Sequence, residues 1–154
     1  ARQSWLAEIL ETARNRPGVQ AVPTTLSGVR QMIKALRKGE AVGLLPDQVP
    51  PDGQGTWAPF FGRDAYTMTL AARLAQQPGV HVLLAWGERL PWGRGYVVHV
   101  HPWAEVMDAP LAADPAQAAA QINQAMERLI RRCPQQYLWG YARYKQPRAL
   151  PQAT

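Results

Sequence analysis

A chain of 154 residues with 47% hydrophobic and 18% charged side chains has the size of one folded domain and too much apolar content for a disordered chain. No apolar run reaches the roughly eighteen residues needed to cross a bilayer. Cys133 is the only cysteine, which excludes an internal disulfide and a cysteine-rich zinc site and fits a reducing compartment. Seventeen Lys and Arg against eleven Asp and Glu leave a net charge of +6. Residues 1–127 hold equal numbers of each sign, so the surplus lies in Arg128, Arg131, Arg132, Arg143, Lys145 and Arg148. With Trp139, Tyr141 and Tyr144 interleaved, that cationic end suits anionic lipid headgroups, an acidic protein or nucleic acid, or is a solvated surface. No nucleic-acid recognition motif accompanies it, so a nucleic-acid role is not expected.

In chain order, Ser4 caps a first amphipathic helix carrying Trp5, Leu6, Ile9, Leu10 and Ala13, and Pro17-Gly18 stops it. Ser27 opens a second, striped by Val29, Met32, Ile33 and Leu36, with Gly39 at the left-handed cap position. Residues 41–45 form an unalternating apolar run, as expected of a strand buried on both faces of a sheet, and Pro46 ends it. Residues 47–58 read as an exposed loop and 66–77 as a helix. Residues 80–86 and 96–101 read as strands around a Gly-rich turn. The strand, helix, strand order implies an α/β sheet with right-handed parallel crossovers and helices packed on it. Asp114 caps a long helix with Pro115 in its first turn and Ile122, Ala125, Met126, Leu129 and Ile130 as its buried stripe. Pro134 ends that helix, and the remainder, aromatic but aperiodic, is expected to wrap over the domain.

Candidate chemistry is sparse. His99 and His101 share a strand face by period two, but no third ligand at a signature spacing joins them, so surface histidines are the simpler reading and no metal is expected. Gly53-Gln54-Gly55 lacks the following lysine and helix start of a phosphate loop, so no cofactor is expected. Asp47 and Gln48 emerge directly after the 41–45 run, at the sheet edge where α/β proteins bind ligands, although Asp47 also suits a turn after Pro46.

Four ordered blocks carry a resemblance. Gly28-Val29-Arg30 through Met32-Ile33-Lys34-Ala35-Leu36 and Lys38-Gly39-Glu40-Ala41-Val42 leads into Leu45-Pro46-Asp47-Gln48. Ala58-Pro59-Phe60-Phe61-Gly62 precedes Thr67, Thr69 and Ala72-Arg73-Leu74-Ala75. Cys133-Pro134-Gln135-Gln136-Tyr137-Leu138-Trp139 with Arg143-Tyr144-Lys145 closes the set, and Arg14-Asn15-Arg16 adds a paired arginine. Together they resemble the late lauroyl and myristoyl acyltransferases of bacterial lipid A biosynthesis, over residues 1 to about 148, with 149–154 as a tail.

The resemblance implies a glycerolipid acyltransferase-like fold, a single domain, and transfer of a fatty acyl chain from acyl carrier protein to a hydroxyl of a lipid A precursor. It further implies peripheral contact with the bacterial inner membrane on its cytoplasmic face. It makes Asp47 the catalytic candidate, positioning the acceptor or an imidazole together with Gln48. Arg14, Arg16, Arg143 and Lys145 would meet acceptor phosphates or the acidic carrier, while Thr67, Phe60 and Phe61 line the cleft. The family acts through a histidine, four residues, then an acid; here Trp86, Ala104 and Val106 stand five positions after His81, His99 and His101. The chain therefore reads as truncated at its N-terminus and inactive alone, with a homodimer formed through the truncated sheet edge. The alternative is a non-catalytic basic module that binds acidic carrier protein or anionic lipid.

Overall fold

The computed structural model describes residues 17–23 and 25–149, and the chain divides into two compact units, Ala1–Val42 and Gly43–Thr154. The first helix expected from the sequence, 4–13, lies outside the described residues.

In the first unit, helix α1 spans Leu26–Arg37 after an extended Thr25, one residue earlier than Ser27 suggests. Met32 is buried, with Val29, Ile33 and Leu36 half-buried beside it, as the helical spacing predicts. The helix ends in a left-handed Gly39 with φ 77°. Gly39 N–H donates to Leu36 O and Glu40 N–H to Ala35 O, both at 3.0 Å, which satisfies carbonyls that a bare helix end would leave open.

In the second unit, strand β1 (Gly55–Phe60) pairs antiparallel with β2 (Arg63–Met68), Ala58 opposite Ala65 and Thr56 opposite Thr67. The Phe61-Gly62 link has φ of 48° and 75°, the doubly positive geometry that a two-residue hairpin turn requires. Helix α2 (Leu70–Ala75) follows, then β3 (Leu83–Arg89) and β4 (Tyr96–Pro102), paired antiparallel across a single turn of 3-10 helix at Pro91–Gly93. Short helix α3 (Trp103–Val106) leads to α4 (Pro115–Ile130). Asp114 caps α4 by accepting from Gln117 N–H at 2.8 Å, with Pro115 in the first turn as expected. Ile122, Ala125, Leu129 and Ile130 are buried and Met126 is half-buried.

Helix α4 joins the two hairpins. Ala125 and Leu129 pack with Leu84, Val106 and Met107, whereas Ile130 packs with Phe60 and Ala65. Ala118 and Ile122 cover Ala72 of α2.

Helices and sheets are both present, but the sheets are two separate antiparallel pairs, and the parallel crossover expected from the element order is not found among the described residues. Two local misreadings explain this. Residues 41–45 form no ladder and Leu45 is exposed, so an apolar run alone does not make a buried strand. Residues 55–68, read as loop and helix start, form the β1–β2 hairpin instead. Gly55 and Pro59 are poor strand formers that disguised β1, while Tyr66 and Thr67 favour the pleat over the helical continuation. The 66–77 helix shrinks accordingly to Leu70–Ala75. The link between β3 and β4 holds only six residues, Leu90 to Gly95, enough for a hairpin and too short for a crossover.

A candidate functional site strapped by the C-terminal segment

The loop after Pro46 is held at three points by the aromatic C-terminal segment. Tyr137 donates its phenol to Asp47 Oδ2 at 3.1 Å. Val49 N–H donates to Tyr141 Oη at 2.8 Å, and Asp52 N–H to Arg148 O at 2.9 Å. These partners lie about ninety residues apart in sequence, so tertiary contact fastens a corner whose Pro46-Asp47 step is itself a local turn. Burial, followed by the Asp47 charge and hydrogen bond, pushes the Tyr137 phenol well above its ordinary range. The phenol therefore stays protonated as Asp47's donor, and Asp47, half-buried, presents its carboxylate at the corner. Gln48 beside it is exposed.

Beneath the corner runs a polar network inside the core. Arg143, 3% exposed, donates from Nη1 to Tyr66 O at 2.8 Å and from Nη2 to Thr67 Oγ1 at 2.8 Å and Asn123 Oδ1 at 3.2 Å. Thr67 Oγ1 also accepts from Asn123 Nδ2 at 2.9 Å and donates to Ala65 O at 2.9 Å. That fills its one donor and two acceptor positions. Asn123 Nδ2 reaches Pro59 O at 3.0 Å as well, which sews α4 to β1. Arg143 Nε is buried with no partner among the described residues. Burial pulls the Arg143 guanidinium below its usual value, while neighbours led by Tyr137 and Asp47 oppose that shift. The cation also lies 5.3 Å from the centre of the Phe60 ring.

Rings and cations continue outward. Tyr144 donates to Phe60 O at 2.8 Å and lies under the Arg63 guanidinium at 4.4 Å. Phe61 meets Phe60 edge-on at 4.8 Å and Trp139 at 5.6 Å, with Arg131 over its ring at 5.0 Å. Lys145 Nζ sits 4.6 Å from the Tyr141 ring centre. A recess of about 280 Å³ opens between Phe60, Tyr137, Trp139, Tyr141, Arg143, Tyr144 and Lys145.

The structure thus gathers Asp47, Phe60, Phe61, Thr67, Arg143 and Lys145 around the C-terminal segment. Thr67 and Arg143 are buried, with Thr67 Oγ1 and both Arg143 terminal nitrogens turned on other protein groups. Arg14 and Arg16 lie outside the described residues. Sequence reading missed Tyr137 and Tyr141 as the corner's partners, and Asn123. Asn123 left a signal, as an amide adjoining the apolar stripe of α4, and it is 2% exposed. His99 Nε2 faces Glu88 at 2.9 Å across the β3–β4 ladder. His101 bridges Glu105 at 3.4 Å and Arg132 at 2.7 Å. No cluster of three metal-ligating side chains occurs among the described residues.

Residues 2–146 match the family model described as bacterial lipid A biosynthesis acyltransferase. The chain is 34% identical over 120 residues to the lipid A biosynthesis palmitoleoyltransferase of Escherichia coli K12, covering 77% of this chain and 38% of that protein. It is 32% identical over 125 residues to the lauroyltransferase of the same organism, covering 80% and 40%. To a lipid A biosynthesis acyltransferase of Haemophilus influenzae it is 26% identical over 113 residues, covering 73% and 34%. The chain spans about two-fifths of the length of the curated relatives it matches.

Proposed function

Because the chain belongs to the bacterial lipid A biosynthesis acyltransferase family, we propose that its Asp47 corner forms one wall of an acyl-transfer site. The reaction moves a fatty acyl group from the thioester of acyl carrier protein to a hydroxyl of a lipid A precursor, at the cytoplasmic face of the inner membrane. The carrying observation is the strapped carboxylate: Tyr137 occupies Asp47 Oδ2, leaving the other oxygen to accept from the acceptor hydroxyl or from the imidazole that deprotonates it. Gln48, exposed beside Asp47, contributes a second polar contact to the acceptor.

Lys145 and the aromatic recess face the substrates, with Phe60, 1% exposed, at the recess floor and Phe61 packed edge-on against it. Arg143 and Thr67 act from beneath, fixing β2 and α4 under the site. Arg14 and Arg16 meet anionic groups of the acceptor or the acidic carrier. None of the three histidines has an acid five residues on, so the 154-residue chain is proposed to be inactive by itself; acyl transfer by the purified chain would contradict this. Among the described residues each two-stranded sheet has unpaired edges, and pairing of two copies through one of them is a further proposal, against which a monomeric mass by light scattering would count.

The reading is tested by acylation assays with acyl carrier protein as donor, comparing Asp47→Ala with wild type in a full-length member carrying these residues. Turnover should fall much more than stability; an equal loss of both would remove Asp47 from the chemistry.

A further inference from the structure

Phe61 and Trp92 are the non-glycine residues with left-handed backbone among those described, at φ 48° and 60°. For Phe61 the contacts explain the strain: its N–H donates to Glu127 Oε1 at 2.7 Å, and its ring packs on Phe60 and Trp139. For Trp92 nothing among the described residues of the second unit does. It occupies the tip of the β3–β4 hairpin with 94% of its surface exposed, where glycine or asparagine would adopt the same backbone with less strain.

The tip is built to be held out. Leu90 N–H donates to Gly95 O at 2.9 Å and Arg94 Nε to Pro91 O at 3.3 Å. The stem is tied down where Arg89 N–H donates to Gln136 Oε1 at 2.7 Å and Gln136 Nε2 to Arg89 O at 3.0 Å. Between residues 89 and 96 stand Arg89 and Arg94 and no acid, and Tyr96 is 72% exposed. The nearest carboxylate, Glu88, is engaged by His99 at 2.9 Å. An exposed indole and phenol flanked by arginines, on a hydrogen-bonded hairpin tip, match the headgroup layer of a bilayer, where amphipathic rings partition and anionic lipids attract cations.

We propose that the β3–β4 hairpin tip is a membrane-docking element, with Trp92 seated among anionic lipid headgroups and Arg89 and Arg94 against their phosphates. It rests on the reading that this protein works on lipid at a membrane surface and names the element that makes the contact.

The test is co-sedimentation of the chain with vesicles of equal parts phosphatidylcholine and phosphatidylglycerol, beside vesicles of phosphatidylcholine alone. Wild type binds the anionic vesicles more strongly. Trp92→Gly, which suits the backbone angle, lowers that binding roughly ten-fold, and Arg94→Gln about five-fold, as the loss of one surface cation requires. Thermal unfolding of Trp92→Gly stays at or above that of wild type, and Arg94→Gln, which gives up only the exposed bond to Pro91 O, stays within a few degrees of it, about the loss of one surface hydrogen bond. Unchanged vesicle binding by a folded Trp92→Gly overturns the tip and leaves the membrane reading standing. Absence of binding by wild type overturns both. A Trp92→Gly variant that keeps vesicle binding and loses affinity for acyl carrier protein moves the tip to a protein partner and overturns the proposal.

Discussion

Arg143 decides more of the structure than any other single side chain. Burying a guanidinium costs several kcal/mol of hydration, and no carboxylate among the described residues is shown in an ion pair with it. Two amide-type oxygens, one hydroxyl and the face of Phe60 take that place. Substituting methionine recovers the hydration cost but leaves Tyr66 O, Thr67 Oγ1 and Asn123 Oδ1 short of a donor in the core, each worth about 1–3 kcal/mol. The second effect wins, and urea unfolding of Arg143→Met should show a loss of about 3 kcal/mol. Tyr137 carries a pH signature. Its folded phenol holds a proton above the ordinary value of 10.0, so its stabilisation is complete below pH 10 and drains away as pH climbs toward the folded value. Alkaline unfolding should therefore be steeper above pH 10 in wild type than in Tyr137→Phe. Parallel curves would remove Tyr137 from this role.

At the scale of elements, the hairpin β1–β2 is the piece that sequence reading could not see. Its strands contain Gly55 and Pro59, residues that normally mark loops, and its turn opens with Phe61, where asparagine or glycine is expected. Tertiary contacts make up the difference: Asn123 of α4 bonds the β1 carbonyl of Pro59, and Tyr66 Oη accepts from Gly53 and Gly55 N–H at 3.0 and 3.2 Å. Gly55 itself is dictated by proximity. A Cβ there would lie 2.6 Å from Thr67 O and 2.9 Å from the Tyr66 ring, so Gly55→Ala should cost about 2 kcal/mol by chemical denaturation, with the hairpin pushed apart. Full stability in that variant would show the register to be looser than described. By contrast α1 and α4 were legible because their signals are local: Gly39 past the last turn, Asp114 and Pro115 at the start, and apolar residues at helical spacing.

Across the whole second unit, fold and site are two outcomes of one arrangement, a C-terminal segment without regular period that ties the 47–52 loop to the hairpin beneath it. Composition and charge located that segment as basic and aromatic. They did not show that part of its charge points inward, because whether an arginine faces solvent or core depends on acceptors supplied by β2 and α4. Residues 41–45 went wrong for a related reason, since an apolar run needs a paired neighbour to become a strand and finds none among the described residues. Asp47 is a candidate by its position after Pro46; its Tyr137 partner, 90 residues on, lies beyond any local pattern.

The proposed role of Asp47 in acyl transfer is separable from its role as a fastening for Tyr137. Asparagine at this position keeps one oxygen for the Tyr137 phenol and replaces the other, with its charge, by an amide donor. Acyl-transfer kinetics and the unfolding midpoint of Asp47→Asn, measured side by side in a full-length member carrying these residues, separate the two roles. Turnover should fall about 100-fold while stability changes by less than about 1 kcal/mol; near-normal turnover, or a loss that merely follows instability, would contradict the claim.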